Sequence, residues 1–504
     1  MSNVNKNILR GIILLSYVLI IAVVVYGIAA IFSYLNTGAD RSTILHAEVK
    51  QVEHYSPEIN WAPLANEGRL MDKENLKAIE EDYLDAWYVR HIAYMNNSMD
   101  GVSDFYTESA RVNISNIIST NSKNNTYIEA TTLAHNLILE FFSEDGQLAV
   151  ITDNNVIEYK RIFNAEKLVA EVNEKSTYKV TLLLEDGFWR IRHLVRVKSE
   201  NYAINPDTNQ NLVSEIKGIN YYPQNTPWDM YGDSFNENII NKDLEIIRNA
   251  GLNSIRIFVP YKSFGKSNVS KDKLEKLIKV LDIAQSHNLK VLITLFDFYG
   301  DYSVIDWTLT QQHAKSIIHA LKSHKALLGW DIKNEPDLDF DNRTESLVLA
   351  WLDKMIDYVR LQDSNHPITI GWSKTESAEL LADKLDFVSY HYYDNEDKLL
   401  EKYKGLKVKL KEKPVVISEY GMSSYNGLWN PFGHSDKDQA EYHESMQAIF
   451  SENEIQFMSW TLYDFPKIPK EVVGRLPWRK NAQKHYGFID ENGVKKPSFN
   501  FISK

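Results

Sequence analysis

Cysteine is absent from this 504-residue chain, so no disulfide framework, thiolate metal site or cysteine nucleophile can be built from it. Glycine and proline are sparse, at 21 and 14 residues, while apolar side chains make up 44% of the sequence. That balance excludes a collagen-like, low-complexity or largely disordered chain. Positive charge is in deficit: 56 Lys and Arg against 68 Asp and Glu leave a formal net charge of −12, a poor match for nucleic acid. No internal repeat is visible. No His-x-His or His/Asp cluster falls at strand ends with the spacing of a metal site, so a metal-dependent hydrolase is disfavoured, and the double-displacement chemistry considered below calls for no metal or organic cofactor. What the chain does hold is flat, half-polar surface, with 28 Tyr and 11 Trp, which suits sugar faces as well as large cores.

From Gly11 to Leu35 there is no charged residue. At about 1.5 Å per residue such a run is long enough to cross a bilayer, for which about 20 residues suffice. The expectation is an uncleaved single-pass anchor over 11–35, with a cytoplasmic tip before it. A signal peptide cleaved near Gly27-Ile28-Ala29-Ala30 is the alternative. Lys6 and Arg10 precede the run, so the positive-inside rule would place the rest of the chain on the outer side of the cytoplasmic membrane, periplasmic or extracellular.

Residues 36–71 are polar with little periodicity and read as a linker. From Asp72 to Asn97 the pattern is helical, with Leu76, Ile79, Tyr83, Ala86, Trp87 and Ile92 on one face. Strand-like runs follow at Ala110–Ile114, Thr131–Phe142, Leu148–Asp153, Tyr159–Phe163, Tyr178–Leu184 and Trp189–Val197, with Asp186-Gly187 as a hairpin turn between the last two. A helix followed by an antiparallel sheet over 72–200 resembles the NTF2-like α+β fold. Such a unit could dimerise or dock a protein partner. His91, His135 and His193 lie within it, and ordinary packing is the plain reading of each.

From Ser214 onward, apolar runs alternate with amphipathic stretches. Strands are expected at Ile216–Tyr221, Ser254–Phe258, Lys290–Leu295, Leu327–Ile332, Ile368–Gly371, Phe387–Tyr390, Pro414–Ser418 and Gln456–Thr461. Helices are expected near Lys242–Ala250, Lys271–His287, Gln311–His324, Glu345–Leu361, Ser377–Lys384, Glu396–Tyr403 and Asp438–Ser451. Alternation of this kind implies parallel strands with right-handed crossovers. Eight of them match a (β/α)₈ barrel over 214–504. An open doubly wound sheet is disfavoured, because no glycine-rich phosphate fingerprint follows Gly218-Ile219-Asn220.

In such a barrel, chemistry sits where strands end at the C-terminal face. Glu335, between Asn334 and Pro336, follows the fourth strand, and Glu419 ends the seventh. Two carboxylates aimed at one point are what glycoside hydrolysis requires, one to protonate the leaving oxygen and one to attack the anomeric carbon. The plain alternative for each is a solvated loop residue or an ion-pair partner.

Residues 214–504 resemble the clan A retaining glycoside hydrolases, most closely glycoside hydrolase family 5 and the barrel of family 2. The resemblance rests on Lys217-Gly218-Ile219-Asn220-Tyr221, Gly251-Leu252-Asn253-Ser254-Ile255-Arg256, Asn334-Glu335-Pro336, His391-Tyr392-Tyr393, Ser418-Glu419-Tyr420-Gly421, Trp460 and the tail Tyr486-Gly487-Phe488-Ile489-Asp490 with Lys496-Pro497-Ser498. It implies Glu335 as general acid/base and Glu419 as nucleophile. It further implies Arg256 beside Glu419, Asn334 on the sugar 2-hydroxyl, Tyr393 on the nucleophile, His391 near the sugar or Glu335, and Trp460 under a pyranose face. Tyr221, Trp228, Phe298, Tyr299, Trp307, Trp372 and Trp429 fall in or near the upper loops, whereas Trp330 reads as core.

One departure stands out. Where many family 5 enzymes carry a histidine at the end of strand three, this chain reads Leu295-Phe296-Asp297-Phe298, which makes Asp297 a candidate for substrate binding or a plain loop carboxylate. The expected activity is a membrane-anchored retaining β-glycosidase acting on a β-linked polysaccharide or oligosaccharide. Transglycosylation on the same site, or a non-catalytic saccharide-binding scaffold, are the alternatives. Glucan, mannan or another β-linked hexose polymer would fit, by endo or exo attack.

Overall fold

The computed structural model describes residues 14–28, 55–202, 215–411, 413–427, 430–469, 472 and 477–503. The apolar N-terminal run is helical over 14–28. Among the described residues no helix is long and apolar enough to cross a membrane. The expected single-pass anchor, and the outer-side placement inferred from it, are corrected accordingly: apolar composition alone does not make a span, which also needs a long enough apolar helix. Residues 11–13 and 29–35 of that run, and 36–54 of the expected linker, lie outside the described residues.

The chain divides into two compact units, Met1–Tyr202 and Ala203–Lys504. In the first, strands β1 (Glu58–Trp61), β2 (Glu67–Gly68), β3 (Thr126–Phe142), β4 (Leu148–Asn164), β5 (Lys167–Glu185) and β6 (Phe188–Asn201) form a six-stranded sheet in the order β1-β3-β4-β5-β6, with β2 also on β3. Both β1 and β2 pair in parallel with β3 and the remaining pairs are antiparallel, so part of the expected linker is sheet. The helix Lys73–Asn96 starts at Asp72, whose side chain accepts from the Asn75 N–H, and buries Ile79, Tyr83, Ala86 and Trp87 at helical spacing. Asp186 and Gly187 both have positive φ, 53° and 82°, the turn that a tight hairpin between β5 and β6 requires.

The expected strand at Ala110–Ile114 is helix instead, within Glu108–Lys123. Ile114, Ile118 and Asn121 are its buried residues, at spacings of four and three. Val112 is exposed, so burial follows one helix face and not the alternation of a strand.

The second unit is a closed barrel of eight parallel strands: β7 (Lys217–Asn220), β8 (Ser254–Pro260), β9 (Lys290–Asp297), β10 (Leu327–Asn334), β11 (Ile368–Trp372), β12 (Val388–Tyr392), β13 (Val415–Tyr420) and β14 (Gln456–Ser459). Helices follow most strands, as read from the sequence. Ser377–Lys384 is the exception: a single 3₁₀ turn at Thr375–Ser377 gives way to turns, with Leu381 left-handed at φ 55°. Ile216, Leu292, Leu328, Phe387, Val416 and Met458 form a buried apolar cluster from the early parts of the strands. Further along the same strands the buried residues turn polar: Asn220, Thr294, Asp331 and Ser418, with Arg256 among them. This polar layer underlies the site.

Candidate active site

Residues on or just past every barrel strand except β11 line a cavity at the C-terminal mouth. β10 ends at Asn334, and Glu335 then takes a left-handed conformation, φ 46° and ψ 50°, before Pro336 opens a 3₁₀ turn. A non-glycine residue in that region costs of order 1–3 kcal/mol and needs its surroundings to hold it. The Glu335 N–H donates to the Gly371 carbonyl at 2.7 Å, which fixes the turn. Glu419 needs no turn, because it lies within β13. Both carboxylates line one cavity of about 320 Å³.

His391, on β12 and 1% exposed, bridges them. Its Nδ1 lies 2.9 Å from Oε1 of Glu335 and its Nε2 lies 3.7 Å from Oε2 of Glu419. The Tyr393 hydroxyl donates to Oε1 of Glu419 at 2.5 Å. Arg256, fully buried on β8, donates to Oε2 of Glu419 at 3.3 Å, to Oδ1 of Asn334 at 2.9 Å and to Oδ1 of Asn220 at 3.0 Å. Gly371 admits this guanidinium: a Cβ there would stand 2.6 Å from Nη2 of Arg256.

The electrostatics follow from this packing. Burial lowers the pKa of His391, but the two facing carboxylates outweigh it and hold the imidazole above its ordinary value. Burial pushes the Glu335 carboxyl up, and the hydrogen bond and charge of His391, with Arg256 and Lys333, bring it below the usual range. Glu419 is raised by burial and by the charge of Glu335, against the pull of His391, Arg256 and the Tyr393 hydroxyl. The proton at the centre of the site is thus favoured on His391 and disfavoured on Glu335.

The cavity wall is aromatic on one side. Trp460 follows β14, and Tyr222, Trp228 and Phe258 join it; Tyr222 stacks on Phe258 at 5.3 Å and 13°. Trp228 meets Trp460 at 5.9 Å. Asp297 and Phe298, at the end of β9, line the cavity as well. Of the residues singled out from the sequence, Glu335, Glu419, Asn334, Tyr393, Trp460 and Asp297 line it, while Arg256 and His391 hold its carboxylates from behind.

The other aromatic candidates divide. Trp228 and Phe298 reach the cavity. Tyr221, Tyr299, Trp307 and Trp372 are buried: the Tyr221 hydroxyl donates to Asp243 at 2.8 Å and the Trp307 indole to the Tyr302 carbonyl at 2.9 Å. Trp429 lies outside the described residues. Trp330 is core, its indole donating to Asp363 at 2.9 Å. In the first unit His193 is exposed, His91 is buried, and His135 is buried with Nδ1 at 2.6 Å from Asp153.

Sequence reasoning missed Asp331, Tyr222, Phe258, Val472, Gln483 and Tyr486 as parts of the site. Asp331 accepts from Arg256 at 2.6 and 3.0 Å, from Thr294 at 2.6 Å and from the Gly371 N–H at 2.9 Å. Its signal was available, as an acid inside an otherwise apolar strand. Tyr222 is the immediate neighbour of Tyr221, and the alternation of a strand end decides which of the two faces the cavity.

Residues 209–466 match the family described as Cellulase (glycosyl hydrolase family 5). Mannan endo-1,4-beta-mannosidase A of Emericella nidulans is 22% identical over 236 residues, 37% of this chain and 61% of that protein. Mannan endo-1,4-beta-mannosidase A of Hypocrea jecorina is 23% identical over 167 residues, 28% of this chain and 38% of that protein. The chain therefore spans less than two thirds of the length of either relative. Among solved structures, an exo-beta-1,4-mannosidase from Opitutaceae bacterium strain TAV5 aligns with a TM-score of 0.47 at 18% identity, over 57% of this chain and 58% of that one.

Proposed function

Because the chain belongs to glycoside hydrolase family 5, we propose that it is a retaining β-glycosidase in which Glu419 is the nucleophile and Glu335 the acid and base. The observation that carries this reading is the convergence of both carboxylates on one cavity, bridged by His391.

In the first step an oxygen of Glu419 bonds to the anomeric carbon as the bond from that carbon to the leaving oxygen breaks. The leaving oxygen takes its proton from Glu335. In the second step water attacks the glycosyl-enzyme, Glu335 takes the water proton, and Glu419 departs as a carboxylate. Arg256 and Tyr393 stabilise the charge that returns to Glu419. The proton needed on Glu335 can come along the 2.9 Å contact from His391. When an aglycone excludes water, a neutral acid–imidazole pair costs less than a buried ion pair, which favours the transfer. Asn334 lines the cavity beside Glu335, where it can donate to the sugar 2-hydroxyl while its oxygen is held by Arg256. Trp460 offers an indole face to a pyranose.

The names of the curated relatives make β-1,4-mannan the first substrate to try. We read the first unit as an NTF2-like α+β domain that serves as a contact for a second copy or a protein partner. The test is the full chain on mannan, on β-linked glucans and on oligosaccharides, beside Glu335→Gln and Glu419→Gln. Turnover abolished in both variants, with the β anomer released first in a proton NMR time course, supports the reading. Saccharide binding without turnover in all three proteins would replace it with the scaffold alternative.

A further inference from the structure

Asp297 is the carboxylate at the cavity that the double displacement does not use. It ends β9, is 5% exposed, and lines the same cavity as Glu335 and Glu419. Asp331, buried one strand away, accepts from four donors. Asp297 has far less: the Phe298 N–H donates to it, and the Tyr222 hydroxyl stands 3.5 Å from Oδ2. Among the described residues no cation lies within ion-pairing distance of it. The two cations in the neighbourhood are committed elsewhere. Lys333 holds Asp339 at 3.1 Å and the Asn334 carbonyl at 3.1 Å, while Arg256 holds Asp331.

A carboxylate offers about four acceptor positions, and leaving them empty in a buried site is costly. Burial pushes this group up to about 6, against the pull of Lys333 and Arg256. The backbone adds a second sign. Phe298, next in the chain, is left-handed at φ 55° and 44% exposed, with its ring on the cavity wall. Strain of that kind persists where the surroundings hold a site in place. Asp297 thus borders the cavity a sugar would occupy with acceptor capacity to spare, next to Tyr222 of the aromatic wall.

We propose that Asp297 is the specificity carboxylate of the sugar subsite, accepting hydrogen bonds from two adjacent hydroxyls of an uncharged pyranose and rejecting a sugar that carries a carboxylate there. The inference rests on the glycosidase reading and names its substrate class. A uronic acid would meet the negative charge of Asp297, Glu335 and Glu419 together.

The experiment uses the full chain with 4-nitrophenyl β-D-mannopyranoside and β-D-glucopyranoside, their 3-deoxy and 4-deoxy analogues, and the matching β-glucuronide. Wild type is expected to lose about 100-fold in kcat/KM on at least one deoxy analogue of the glycoside it cleaves, and to leave the glucuronide uncut. Asp297→Asn is expected to lose about as much on the parent glycoside and to be within threefold on that deoxy analogue. The variant and the missing hydroxyl should remove the same contact. The wild-type rate should also fall as pH drops through about 6 by a contribution that Asp297→Asn lacks, the variant keeping only the acid limb of the Glu419 nucleophile, while Lys333, Glu335, Arg256 and Tyr222 still neighbour the position. If wild type cleaves a parent glycoside and treats every deoxy analogue within threefold of it, the inference is overturned without needing any variant. A folded Asp297→Asn with unchanged kcat/KM overturns it too. Wild type inactive on every one of these glycosides and on the polysaccharide and oligosaccharide panel as well overturns the glycosidase reading itself.

Discussion

Asp331 grips Arg256 from inside the barrel, with Oδ2 at 2.6 Å from Nη2 and 3.0 Å from Nε, and both side chains fully buried. The guanidinium is thereby aimed so that Nη1 reaches Glu419. Removing one partner of a buried pair leaves an uncompensated charge and costs about 3–5 kcal/mol. Asp331→Asn is therefore expected to lower stability by about that much in urea denaturation, and to reduce kcat at temperatures where the variant is still folded. Unchanged stability would mean that Glu419 alone can balance Arg256.

Gly371 tests the same guanidinium from the other side. A Cβ at this position would lie 2.6 Å from Nη2 of Arg256 and 3.4 Å from both Oδ2 of Asp331 and Nε2 of His391. Arg256 cannot swing away, because Asp331 and Asn220 hold it. Gly371→Ala should cost about 1–3 kcal/mol by overpacking. The larger effect should fall on kcat, since the group displaced is the one that steadies Glu419. A variant as active as wild type would show that the arginine position is not critical.

The raised pKa of His391 fixes the sign of the alkaline limb. Glu335 and Glu419 favour the imidazolium, so the site holds the acid-step proton up to a pH above the ordinary histidine value of about 6.5. The rate is expected to fall as pH rises through that elevated value, and His391→Gln should lose this limb. The stability linkage has the same sign. A group whose folded pKa is raised adds stability that is fully present below about 6.5 and is lost as pH rises through the folded value. Paired pH–rate and pH–melting profiles of the two proteins check both.

The barrel was legible because each strand is a short apolar run followed by a helical period, and that alternation needs no tertiary information. Glu335 and Glu419 were legible because they stand just where those runs end. The support beneath them was harder to read. Asp331 and Gly371 acquire meaning only when closure of the barrel brings β8, β10 and β11 together, since Arg256 and Asp331 are far apart in the chain. The choice of Tyr222 over Tyr221 turned on one residue of register at the end of a strand. Ala110–Ile114 misled because local β-branched composition competed with the burial spacing of Ile114, Ile118 and Asn121. The N-terminal run was read from apolar composition alone, and no helix among the described residues is long and apolar enough to cross a membrane.

In the first unit, Trp87 is fully buried on the helix Lys73–Asn96 and is the hub of an aromatic cluster. Its ring lies 5.4 Å from His135, 5.8 Å from His91 and 5.2 Å from Tyr178, and the Arg90 guanidinium sits 3.8 Å above it. Beside it the Tyr83 hydroxyl donates to Asp153, which also holds His135. Truncation would remove the contacts that seat the helix on the sheet and expose this polar network to a void. Trp87→Ala should cost about 3–5 kcal/mol. With two compact units in the chain, that loss is expected in one thermal transition only. The barrel's transition and its kcat should match wild type at temperatures below both. A single transition that shifts as a whole, with kcat lost alongside it, would show that the barrel depends on the first unit for its fold.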